Sequence, residues 1–233
     1  MAVHVLVPAA GAGRRIGAAI NKQYLELGDR PILAHTLARL AALPEVTTIR
    51  VIVPAAECDY CRDEVVARHA PAKVAGVVAG GAERQDSVRN GLAACVAAAD
   101  DLVLIHDGVR PFFPREAIAE LLAVTARVGA AVLAIPAQDT IKEAVAGTVV
   151  RTLERSRLWQ VQTPQAFRFG LLQAAHEQAL AAGFTGTDDA SLVEWQGGTV
   201  GIVPGSPYNF KITTPADLAL ARALLASGEV SLT

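Results

Sequence analysis

Three cations, Arg14, Arg15 and Lys22, fall within the first 25 residues, a stretch with no acid at all. They surround the glycine-rich run Ala9-Ala10-Gly11-Ala12-Gly13. Glycine and alanine let a backbone approach a ligand closely, and the N–H groups of such a turn can point at phosphate oxygens. Fixed cations beside it suit a triphosphate whose α-phosphorus gains charge during displacement, because they stabilise the transition state more than the ground state. Two familiar phosphate loops do not fit. A dinucleotide fingerprint counted from Gly11 needs glycine at position 16, which is Ile16, and no Gly-Lys-Ser/Thr follows at Walker spacing. The loop is phosphate-binding in character but belongs to neither class.

A second group is His106-Asp107-Gly108-Val109-Arg110-Pro111. By position alone Asp107 is either a site acid or a residue that ends a strand turn. No G-x-S-x-G elbow occurs, so His106 reads as a packing or hydrogen-bonding residue and not as part of a triad. Cys58-x-x-Cys61 has redox or zinc spacing, but no second pair completes it, and a structural role is the expectation. Glu83-Arg84 reads as a solvated pair beside the pocket. Arg155 and Arg157 share a face if that segment is extended. Trp159 and Trp195 are expected in the core or at an interface.

The elements that must position these groups alternate. Val3–Val7 is a β-branched strand that stops at Pro8. Helix Pro31–Leu43, strand Thr48–Val53, helix Glu57–His69, strand Lys73–Val78 and helix Asp86–Ala99 follow. Strand Leu102–Ile105, helix Pro114–Val128 and strand Ala130–Ile135 complete the run. This order requires crossovers and a mostly parallel sheet with helices on both faces, a Rossmann-like α/β fold. Ligands of such sheets bind beyond the C-terminal strand ends, which gathers Ala9–Lys22, Gly80–Ser87 and His106–Arg110 at one edge. Thr140–Val145 and Thr148–Leu153 alternate around Ala146-Gly147 as a β-hairpin, expected to protrude as an arm. After Gln162-Thr163-Pro164-Gln165 come a helix near Phe169–Ala182, a polar loop Thr185–Asp189, a helix through Trp195, a strand Val200–Val203 and a helix Pro215–Ala226. The expected organisation is one domain over residues 1–233, with residues 137–158 as the arm.

Bulk composition narrows the partners. With 21 basic and 23 acidic residues among 233, the formal charge is −2, so neither nucleic acid nor an anionic membrane is expected. No apolar run reaches the roughly 18 residues of a membrane span. Hydrophobic residues make up 52% but aromatics only 5%, which suits aliphatic strands covered on both faces. Three cysteines make no disulfide scaffold, and a reducing cytoplasm is the expected compartment.

Eight segments occur in order: Ala9-Ala10-Gly11-x-Gly13-Arg14-Arg15, Lys22-Gln23-Tyr24, Asp86-Ser87-Val88, His106-Asp107-x-x-Arg110-Pro111, Asp139-Thr140-x-Lys142, Thr163-Pro164-Gln165, Thr187-Asp188-x-Ala190-Ser191 and Lys211-Ile212-Thr213. Together, from about Val3 to Ala223, they make the chain resemble the 2-C-methyl-D-erythritol 4-phosphate cytidylyltransferases of the non-mevalonate isoprenoid pathway. The resemblance implies transfer of a cytidylyl group from CTP to a sugar-alcohol phosphate, with Mg²⁺, in a homodimer locked by the arm. It implies that Arg15, Lys22 and Lys211 are catalytic, Arg15 and Lys22 at the α-phosphate and Lys211 near the phosphates. Ala9, Ala10, Gly11, Gly13, Gly81, Ser87 and Asp107 would bind the nucleotide, with Asp107 also the metal ligand. Arg110, Thr140, Arg155 and Thr187 would bind the acceptor, Thr140 and Arg155 from the partner's arm. Because the chain ends soon after its last helix, the fused cyclodiphosphate synthase domain of some members is expected to be lacking.

That chemistry needs no general base. The nucleophile is a phosphate monoester with a second pKa near 6, already largely dianionic at neutral pH. The task is to bring two anions together and neutralise them, for which Arg and Lys are suited. Gly108 and Val109 stand where members often carry alanines, and Ala82 where an acid is frequent. These departures bear on the acceptor, and ribitol 5-phosphate is the alternative. Rivals of other classes are an NAD(P)-dependent oxidoreductase and a non-catalytic nucleotide-binding module. The first wants an acid at the end of the second strand, where Val53 is followed by Pro54-Ala55-Ala56.

Overall fold

The computed structural model of the chain describes residues 1–11, 21–69 and 72–232. Its centre is a seven-stranded sheet. In chain order the strands are β1 (Val3–Pro8), the two-residue pair β2 (Glu26–Leu27) and β3 (Arg30–Pro31), β4 (Thr48–Val53), β5 (Val74–Ala79), β6 (Leu102–Ile105), β7 (Ala130–Pro136), the hairpin β8 (Lys142–Val145) and β9 (Thr148–Thr152), β10 (Trp159–Arg168) and β11 (Val200–Pro204). The sheet order is β11-β7-β10-β6-β1-β4-β5. The pairs β1/β4, β1/β6, β4/β5 and β11/β7 are parallel, and β10 runs antiparallel between β6 and β7.

The helices are α1 (Ile32–Ala41), the single turns α2 (Cys58–Tyr60) and α3 (Ala67–His69), α4 (Arg84–Ala93), α5 (Ile118–Val128), α6 (Phe169–Ala182), α7 (Asp189–Trp195) and α8 (Pro215–Ser227). Strand side chains alternate between faces. Val3, Val5 and Val7 enter the core with Leu33, Leu37 and Leu121, whereas Leu6 joins Val88, Leu172 and Val193 on the other face. The sheet is therefore covered on both sides, as the aliphatic strands predict. Each fully buried Leu or Ile contributes about 1.5–3 kcal/mol.

Three elements differ from the sequence reading. Strand β10 was not expected, because Pro164 cannot donate to a ladder and argues against a central strand. The sheet absorbs it with a register shift between Val161 and Gln165, and the Thr163–Pro164 peptide is cis. The helix expected over Asp86–Ala99 ends at Ala93, because Asp101 accepts from Ala98 N at 2.9 Å and Ala2 N at 2.7 Å and turns the chain into β6. The helix expected over Glu57–His69 is divided, with a π segment over Cys61–Val66 between α2 and α3.

The hairpin is where it was expected. Every residue of both strands is exposed, and its turn holds Ala146 and Gly147 at φ +48° and +80°, the positive values that a two-residue connection requires. Among the described residues no helix is long and apolar enough to cross a membrane.

Candidate active site

A cavity of about 400 Å³ opens where β1, β5 and β6 end, within the range of small-ligand pockets. Ala9, Ala10, Gly11, Lys22, Gly81, Ser87, Asp107 and Lys211 all line it, so most of the nucleotide-side expectations converge. Gly13, Arg14 and Arg15 lie outside the described residues.

Ala9 continues β1 past Pro8 through a hydrogen bond from its N–H to Ile52 O, 2.7 Å. Gly81 follows β5. A Cβ there would collide with Asp86 Cβ at the start of α4, so glycine is demanded by close approach. Ser87 is buried. Its hydroxyl accepts from Gly81 N at 3.1 Å and donates to Glu83 O at 3.0 Å, which fixes the turn on the cavity floor. Lys22 opens a 3₁₀ turn, Lys22–Tyr24. Asn21 Nδ2 and Gln23 Nε2, on either side of it, both donate to the Glu57 carboxylate, Gln23 at 3.2 Å. Glu57 was not singled out in the sequence as a site residue, and nothing in its local pattern marks it as the anchor of this turn.

Asp107 is the centre of the charge network and is 5% exposed. Its Oδ2 lies 3.0 Å from Arg110 Nε and 3.1 Å from Lys211 Nζ, and its Oδ1 lies 3.9 Å from Arg84 Nε. Burial alone would raise its pKa. Lys211, then Arg84 and Arg110, outweigh that and hold the carboxyl well below the usual carboxylate range. Its backbone is set by Thr163, whose hydroxyl accepts from Asp107 N at 3.1 Å. His106 is fully buried between Thr163 Oγ1 (3.1 Å) and Arg110 O (3.0 Å), packed edge-on against Phe113. Burial pushes the imidazole down to about 4, so it is a neutral hydrogen-bonding residue, as the sequence implied.

Several expectations change. Arg84 is not a solvated partner of Glu83. Its Nη1 lies 2.7 Å from Asp189 Oδ2 while its Nε faces Asp107, because the start of α4 points it between the two acids. Arg155 and Arg157 lie in a 3₁₀ turn and not in an extended segment. Of the two places expected for Trp159 and Trp195, core or interface, the core is excluded, since they are 39% and 44% exposed. Arg110 is committed to Asp107 and to Asn209 O at 2.6 Å. Thr140 and Arg155, expected to serve the partner's site and not this chain's own, are exposed and outside this cavity, as is Thr187, and Arg155 Nη1 donates to Gln138 O at 2.7 Å.

Among the described residues there is no cluster of three or more metal-ligating side chains. Two carboxylates line the site, Glu83 and Asp107, and the buried Asp107 is the one its neighbouring cations hold well below the usual carboxylate range. That donor set suits Mg²⁺, which is commonly held by one or two carboxylates together with substrate phosphates and water.

Comparison with known proteins gives one family. Residues 3–227 match the family model of 2-C-methyl-D-erythritol 4-phosphate cytidylyltransferase. The protein of that name from Syntrophotalea carbinolica is 57% identical over 225 residues, covering 97% of each chain. That from Geotalea uraniireducens is 55% identical, covering 97% of this chain and 98% of the relative. Among solved structures, the 4-diphosphocytidyl-2C-methyl-D-erythritol synthase of Anaerococcus prevotii superposes with a TM-score of 0.85 at 31% identity, covering 97% of this chain and 96% of its own.

Proposed function

The chain belongs to the 2-C-methyl-D-erythritol 4-phosphate cytidylyltransferase family, and from that premise we propose that it transfers a cytidylyl group from CTP to 2-C-methyl-D-erythritol 4-phosphate. The products are CDP-methylerythritol and pyrophosphate. The observation that carries the reading is the cavity at the strand ends. It joins backbone at Gly11 and Gly81 to the cations Lys22, Arg84 and Lys211 and to the carboxylates of Glu83 and Asp107, of which Asp107 is buried.

The acceptor phosphate attacks the α-phosphorus in line with the departing pyrophosphate. Lys22 and Arg15 neutralise charge that gathers on the α-phosphate oxygens, where their contact strengthens in the transition state. Ala9, Ala10, Gly11, Gly13, Gly81 and Ser87 hold the nucleotide. Asp107 sits by the ribose and would hold Mg²⁺, while Lys211 keeps Asp107 ionised and adds charge near the phosphates. Bound there, the metal would supply positive charge to offset that of the phosphates. On the acceptor side, Arg110 and Thr187 complete the site.

The exposed hairpin supports a homodimer. An isolated two-stranded hairpin is marginal, and Val145, Val149 and Val150 are 65%, 56% and 58% exposed on it. The arm reaches the other subunit, and its Thr140 and Arg155 hold the acceptor phosphate there. Three free thiols support a reducing compartment, the cytoplasm.

Pyrophosphate release with CTP and Mg²⁺ tests the function, comparing methylerythritol phosphate with ribitol 5-phosphate at equal concentration. Release with the first alone is expected. Release with the second alone would move the protein to polyol-phosphate chemistry, and silence with both would remove the catalytic reading.

A further inference from the structure

Arg84 stands at a junction that the reaction chemistry by itself does not require. Its side chain is 32% exposed and spans two buried acids. On one side is Asp107, whose Oδ2 is taken by Arg110 and Lys211 and whose Oδ1 faces Arg84 at 3.9 Å. On the other is Asp189, 1% exposed, with Oδ2 2.7 Å from Arg84 Nη1. The remaining oxygen of Asp189 accepts from His176 Nε2 at 3.1 Å, and His176 is also 1% exposed. A buried carboxylate held by a histidine and a guanidinium fixes that guanidinium in turn, since its charge is costly to leave unpaired. Only arginine presents a planar fork that can meet two acids from one side chain.

An independent contact ties the same two regions. Gln85, the next residue on α4, donates through Nε2 to Phe184 O at 3.1 Å and accepts from Gly186 N at 3.0 Å. The loop 184–189 carries Thr187, proposed for the acceptor. It is thus fastened to the start of α4, which borders the nucleotide cavity.

We propose that Arg84 is a positioning residue that joins Asp107 to the Asp189–His176 pair, so that the nucleotide and acceptor halves of the site are set together. This rests on the cytidylyl-transfer reading. Arg84 lines the cavity and Asp189 does not, so Asp189 reaches a bound ligand through Arg84 and through the loop it ends.

The test is a double-mutant cycle with Arg84→Lys and Asp189→Asn. CTP affinity with Mg²⁺ is measured by calorimetry, acceptor KM and kcat by pyrophosphate release, and Tm by calorimetric scan. Each single variant is expected to weaken CTP binding and to raise acceptor KM by about five- to ten-fold, with the double variant no worse than the worse single. A lowered Tm with both constants within two-fold of wild type would reduce the pair to a structural role and overturn the proposal. So would multiplicative effects in the double variant, or a change in CTP affinity with acceptor KM untouched. A wild-type protein that binds CTP but releases no pyrophosphate marks failure of the transfer reading instead. The cycle in CTP affinity then decides: additive effects there overturn the Arg84–Asp189 coupling, and non-additive ones sustain it.

Discussion

Lys211 Nζ lies 3.1 Å from Asp107 Oδ2, although the two residues come from opposite halves of the chain. Asp107 follows β6, and Lys211 enters from the loop between β11 and α8. The start of α8 is fixed by Thr214, whose hydroxyl accepts from Asp217 N, while Asp217 Oδ2 accepts from Thr213 N and Thr214 N, both at 2.8 Å. Lys211→Met should therefore leave the fold in place, since Arg110 still pairs with Asp107. Turnover should fall by about 10²-fold or more, the usual scale for losing a transition-state charge partner. Pyrophosphate release within three-fold of wild type, at an unchanged Tm, would remove Lys211 from the catalytic set.

The second prediction separates Lys22 from its support. Asn21 and Gln23 both donate to Glu57, so the carboxylate fixes the turn that aims Lys22 into the cavity. Lys22→Ala should lower kcat by roughly 10²–10³-fold and spare most CTP affinity, because its contact tightens in the transition state. Glu57→Ala should give a milder form of the same pattern, about ten-fold in kcat. Parallel losses of binding and turnover in either variant would contradict these roles.

Cys58-x-x-Cys61 offers a third. Cys61 is fully buried, and burial pushes its thiol up to about 12. A thiol in that state is neither nucleophile nor metal ligand at neutral pH. Iodoacetamide labelling of the native protein at pH 8, read by mass spectrometry, should spare Cys61 until urea unfolds the chain. Fast native labelling of Cys61, or zinc retained after dialysis, would restore chemistry to the motif.

The regions legible in the sequence were those where one local signal decides. β1, β4, β6 and the hairpin follow from β-branched runs and turn residues, and the cavity follows from the rule that places ligands beyond parallel strand ends. What was hidden depends on contacts distant in sequence. Pro164 concealed β10, because its place in the sheet relies on a register shift that only the neighbouring strands reveal. Arg84 looked like half of a local pair with Glu83. Its real partners, Asp107 and Asp189, are brought to it by β6 and α7. Glu57 read only as the first residue of a helix, whereas folding sets its carboxylate against Asn21 and Gln23 of the Lys22 turn. Charge identity is legible one residue at a time, but charge pairing requires topology.

The last prediction concerns pH. His35 on α1 is 5% exposed, and its Nε2 donates to Leu27 O at 2.6 Å. On the next position Thr36 Oγ1 donates to Gly108 O at 3.1 Å, so this turn of helix braces the loop that carries Asp107. Burial lowers the pKa of His35 below its ordinary value. The bond to Leu27 O and nearby Asp29 oppose that only in part, and Arg30 and His69 add to it. The native protein therefore binds fewer protons here than the unfolded chain does. The stabilisation is complete above the unfolded value of about 6.5 and is lost as pH falls from there towards the lower native pKa. His35→Gln, which keeps a donor for Leu27 O, should cost about 1–2 kcal/mol at pH 7.5 through imperfect packing. The gap in urea midpoint between wild type and variant should narrow by pH 5.5, because only wild type carries this proton penalty. A gap of constant size across that range would mean that His35 does not titrate on unfolding, and that the acid sensitivity of the fold arises elsewhere.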